Sequence, residues 1–70
     1  MSLESLLKEV FFHCVEHETN IWEIADRHRW IYEDAFDFIC CRREPSPKML
    51  RDLAKEFHVK PASLKETLEE

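Results

Sequence analysis

Seventy residues with a formal net charge of −5, 44% hydrophobic side chains and no glycine describe one small, soluble-looking domain rather than a disordered tail. A chain of this size buries only about 60% of the surface its unfolded form exposes, so a partner or a staple is a natural expectation. The absence of glycine argues against Gly-rich phosphate loops, Rossmann turns and tight hairpins, which need positive φ or close backbone approach.

The first segment places Leu3, Leu6, Leu7, Val10, Phe11, Cys14 and Val15 at steps of three and four, which predicts an amphipathic helix over 3–17 with Ser2 or Ser5 as its cap. Asn20 followed by Glu23 reads as a capping box opening a helix over 20–28, with Ile21, Ile24 and Ala25 inward. Arg27, His28 and Arg29 then supply cations near its carboxyl end. A third helix is expected over 31–41. Trp30, Ile31, Ala35, Phe38 and Ile39 form one stripe there, and Tyr32, Phe36 and Cys40 form a second beside it. So wide an apolar surface implies burial on more than one side.

Glu44 precedes Pro45 and is pushed toward an extended backbone, so the third helix must end before it. Ser46 caps a fourth helix over 47–58 with Pro47 at its first position. A short fifth helix covers 62–69, with Leu64 and Leu68 inward and a Ser63–Glu66 pair as a possible cap. The expected core is Leu6, Val10, Cys14, Ile24, Ala25, Ala35, Phe38, Leu50, Leu53, Ala54 and Phe57. No segment alternates with a period of two, so no strand is expected. The fold class is all-α, one domain over 1–70.

Three cysteines, two of them adjacent at Cys40 and Cys41, do not form a disulfide framework and read as free thiols. No apolar run reaches the roughly 20 residues of a membrane span, and MSLESLLKEV has no charged leader before an apolar stretch, so a cytoplasmic protein without a signal peptide is expected. HCVEH, His13 to His17, spells the H-x-x-E-H pattern of one metallopeptidase group. That chemistry needs a third ligand and a cleft, so two histidines on a solvated helix face are expected instead. No enzyme, metal, cofactor or small-molecule substrate is expected.

The order and spacing of these pieces resemble the phage-repressor-like helix-turn-helix family (lambda repressor and Cro relatives). REPSPKMLRDLAKEFHVKPASL looks like that family's closing stretch: a basic loop, a Pro-Ser pair, an L-x-x-L-A helix and a V-x-x-x-x-L short helix. IWEIADRH resembles its second helix, with Ile24 and Ala25 at the core pair. The likeness runs from Asn20 to Leu64. It implies a compact five-helix bundle and a small DNA-binding regulator, with the third helix in the major groove. It puts Ile21 where the family carries Gln, Arg29 at the turn glycine, and Ile39-Cys40-Cys41 at the closing Glu-x-Gly. Arg27, Arg29, Arg42, Arg43 and Lys48 stand where backbone phosphates would be held. Tyr32, Glu33, Asp34, Phe36 and Asp37 stand on the reading helix, where carboxylates meet repulsion from phosphates.

The charge pattern supports a second reading. Residues 1–26 carry one Lys against six carboxylates, and residues 27–60 carry eight Lys or Arg against six. Tyr32, Phe36, Ile39 and Cys40 then form an interaction patch on the same scaffold, binding a protein partner or a second copy in a homodimer.

Overall fold

Ser46 shows how the local signals become structure. Its backbone is extended (φ −66°, ψ 163°), and its hydroxyl accepts the Met49 N–H at 3.2 Å, opening a helix that starts at Pro47. The computed structural model describes residues 2–69, with Ser2 described by its backbone alone. They form α1 (Ser2–Glu16), α2 (Ile21–His28), α3 (Tyr32–Ile39), α4 (Pro47–Phe57) and α5 (Pro61–Glu69). Among the described residues there is no strand, and no helix is long and apolar enough to cross a membrane.

Not every expected cap forms. Asn20 Oδ1 accepts the Glu23 N–H at 2.9 Å, but the Glu23 carboxylate takes the Thr19 hydroxyl at 3.1 Å and the Asn20 amide at 3.4 Å. Half of the expected capping box is therefore present. Ser5 and Ser63 lie inside α1 and α5 rather than before them, so neither caps its helix. The expected cap at Ser2 lies outside the described side chains.

The helix ends repeat one device. Glu18 (φ 53°), Arg29 (58°), Cys41 (60°) and His58 (57°) adopt the left-handed conformation. The N–H of each following residue reaches back five positions: Thr19 to Cys14 O at 2.9 Å, Trp30 to Ala25 O at 2.8 Å, Arg42 to Asp37 O at 2.8 Å and Val59 to Ala54 O at 3.0 Å. These are Schellman closures, a position where glycine is usual. A side chain there costs roughly 1–2 kcal/mol, and the described residues accept that cost four times. The third helix ends at Ile39 rather than 41 because Cys41 has already turned left-handed.

α1 packs on α4 and α5, α4 also holds α2 and α5, and α2 holds α3. All eleven expected core residues are buried, and Leu7, Ile21, Trp30, Met49 and Leu64 join them. Leu3, Ile39 and Leu68 are only partly buried, and other stripe residues stay outside the core. Phe11 is 45% exposed, Val15 78% and Ile31 67%. Phe11 and Val15 lie on one edge of the α1 stripe, beyond the reach of α4 and α5. Ile31 precedes α3 as its N-cap, where its carbonyl accepts the Asp34 and Ala35 N–H groups and its side chain is left outside. The expectation that α3 buries more than one side also fails within the single chain. Only Ala35 and Phe38 are buried, while Tyr32 and Phe36 are exposed.

Candidate functional site

The five expected phosphate anchors separate into two groups. Arg42 and Arg43 follow α3 and fold back on it. Arg43 Nη2 lies 2.9 Å from Asp37 Oδ2 and 3.4 Å from Asp34 Oδ1. The Arg42 guanidinium lies 5.5 Å over the Phe36 ring, with Nη1 4.0 Å from Asp37. The Asp37 hydrogen bond and the neighbouring Asp34 raise the Arg43 pKa further above its ordinary value.

Arg27 and Lys48 point instead into the junction of α2 and α4. Arg27 grips Glu56 through two bonds, Nε to Oε2 at 3.1 Å and Nη2 to Oε1 at 2.8 Å. Lys48 Nζ donates to Asp52 at 2.8 Å and to the His28 carbonyl at 3.0 Å. Between the groups, Arg29 sits exposed in its left-handed turn, and no carboxylate pairs with it among the described residues.

The same junction collects the remaining polar side chains of the α2–α4 contact. His28 Nε2 is 2.7 Å from Glu56 Oε2, and the Trp30 indole N–H donates to Asp52 at 2.8 Å. Arg27 holds the Glu56 carboxyl below its usual range, with His28 adding to the effect against a smaller opposing contribution from burial. For Asp52 burial pushes the pKa up most, but the bonds from Lys48 and Trp30 outweigh it and the carboxyl ends lowered.

On the other flank nothing covers the apolar surface. Phe11, Cys14 and Val15 of α1, Ile21 and Trp22 of α2 and Ile39 of α3, with Thr19 and Asn20 between α1 and α2, line a groove of about 340 Å³. Trp22 stands edge-on to Tyr32, with centroids 5.7 Å apart and planes at 82°. The Tyr32 hydroxyl donates to Asp26 Oδ1 at 2.6 Å, and that bond and its charge raise the Tyr32 pKa. Phe36 follows one turn along α3, 47% exposed, and Cys40 is exposed beyond it. The expected patch of Tyr32, Phe36, Ile39 and Cys40 is therefore one end of a larger apolar face that runs across three helices. Sequence reading missed Trp22 and the placement of Phe11 and Val15. One signal was present: the α1 stripe carries seven apolar residues in four turns, more than one packing partner covers.

Of the two histidines of HCVEH, His17 is exposed as expected and His13 is not. His13 is half-buried: its ring stacks on Phe57 at 4.8 Å and 17°, and its buried Nδ1 has no hydrogen bond, with Glu16 Oε1 3.6 Å away. His17 lies beside Phe57 and His58, both at 5.9 Å between centroids. No group of three or more metal-ligating side chains assembles among the described residues. Cys14 is buried, and burial with the nearby Glu56 carboxylate pushes its thiol pKa up. Comparison with known proteins finds no family model, no curated protein and no solved structure that matches this chain.

Proposed function

We propose that the chain is a protein-interaction module on a helix-turn-helix-like scaffold of the phage-repressor kind, docking a protein through the face formed by Phe11, Val15, Trp22, Tyr32, Phe36 and Ile39. The observation that carries this reading is an uncovered apolar face beside arginines already engaged by the α3 carboxylates. Exposed aromatic clusters of this kind mark interaction sites. A photo-crosslinking amino acid at Phe36, in the cell that makes the protein, should give a discrete protein adduct. The same group at Arg51, which is exposed on α4, should not. A Phe36 probe that labels no protein defeats the reading.

A second reading, a small DNA-binding regulator, is favoured by one arrangement. α2 and α3 are joined by a left-handed turn at Arg29, whose guanidinium is unpaired among the described residues. In that reading α3 enters the major groove, and Arg42 and Arg43 leave Asp34 and Asp37 for phosphates. Gel shifts at low salt with the DNA upstream of its own coding region test it. Arg42→Ala and Arg43→Ala should each weaken binding to all sequences and lower the salt slope by about one. Affinity indifferent to salt removes this reading.

A further inference from the structure

We infer that the occupant of this face is a basic amphipathic helix of another protein, an inference that rests on the module reading above. Backbone chemistry sets the form of the ligand. The described residues contain no strand, so no sheet edge is available for an added strand, and a groove between helices is filled by the apolar side of a helix. The neutral floor of the groove, with Phe11, Val15, Trp22 and Ile39, suits side chains repeating at three and four residues.

Charge sets the partner's sign. Glu18 lies one turn past Val15, Asp26 one turn past Trp22, and Glu33 beside Tyr32, and all three are exposed. None of these three carboxylates has a Lys, Arg or His within 4.0 Å among the described residues. Against them stand Lys8, one turn before Phe11, and Arg42, already engaged by Asp37 and Phe36. The whole chain carries −5, which attracts a cationic ligand from a distance. A second copy brings the same carboxylates and the same net charge to the contact, so the face opposes its own duplicate at the rim.

The test uses two synthetic helices of equal length with the same leucine face, one with Lys and Arg on its polar side and one with Glu. Binding to the isotope-labelled protein is read by NMR at the Trp22 indole, separable from that of Trp30, which is buried and bonded to Asp52. The basic helix should shift Trp22, Val15 and Ile39 signals saturably and bind at least about tenfold more tightly than the acidic one, with the advantage shrinking as salt rises. Val15→Asp should abolish the shifts and leave the helical signal unchanged, since Val15 is 78% exposed. Glu18→Gln, Asp26→Asn and Glu33→Gln together should remove the preference for the basic helix. Equal binding of the two helices overturns the partner's charge and leaves the face intact as a docking site. Failure of both helices to move Trp22 overturns this inference and the module reading together. A free protein that sediments as a dimer broken by Val15→Asp assigns the face to a second copy. Duplex DNA that displaces the basic helix from the same residues assigns it to nucleic acid. Either result overturns the proposal.

Discussion

The two flanks of α2 solve the problem of a small domain in opposite ways. Toward α4, three polar residues from each side of a helix junction meet: Arg27, His28 and Trp30 on one side and Lys48, Asp52 and Glu56 on the other, at 2.7–3.1 Å. Toward α1 and α3, Trp22, Tyr32, Phe11 and Val15 stand together with no protein over them. The first flank is complete within one chain. The second has the composition of an interior and the exposure of a surface. The domain satisfies its half-buried carboxylates with paired donors on one side and leaves the other side open, the side the proposed partner would close.

Leu53→Ala tests what both flanks share. Leu53 is fully buried in the core behind the junction, and its truncation should cost about 2–5 kcal/mol. In a domain of this size that is enough to lose cooperative folding, seen as a collapse of the thermal transition by circular dichroism.

Glu56→Gln breaks the closed flank alone. It removes the charge that Arg27 and His28 bond, and the loss should be about 1–2 kcal/mol after allowing for partial solvent screening. The sign of the pH dependence follows from the lowered carboxyl pKa values of Glu56 and Asp52. A depressed folded-state pKa contributes stability above the unfolded value, about 4.3 for Glu and 3.9 for Asp, and loses it as pH falls through the folded value. The wild type should therefore lose stability below about pH 4, and Glu56→Gln should lose less over the same range. Parallel wild-type and mutant acid curves would show that the junction contributes nothing through charge.

Arg29→Gly acts at the turn that links the two flanks. Relieving the left-handed side chain should stabilise the domain by up to about 1 kcal/mol, reduced by the added freedom of the unfolded chain. A lower denaturation midpoint would mean that the Arg29 side chain contributes more than its backbone strain costs. Phe36→Asp should do least to stability, within about 0.5 kcal/mol, because an exposed face resists substitution only when a partner is present. Its effect belongs to binding. A large loss of stability in the isolated domain would show that Phe36 is packed and that the open face is smaller than described.

Much of this molecule was legible along the chain. Pro47 after Ser46, Asn20 before Glu23, and the steps of three and four through Leu50, Leu53, Ala54 and Phe57 act within a few residues, so five helices and their shared core follow from local geometry and burial. The left-handed turns at Glu18, Arg29, Cys41 and His58 were not legible. Without glycine, only the five-residue closures and the packing beyond each helix end hold them. The partners of the cations were equally hidden. Arg27 and Glu56 lie 29 residues apart, and no spacing rule joins them. Tertiary structure alone decided which edge of an apolar stripe has a neighbour. It buried Leu7 and Met49 and exposed Phe11 and Val15, because burial depends on where another helix lies, and a helix records its own apolar side without recording what will cover it.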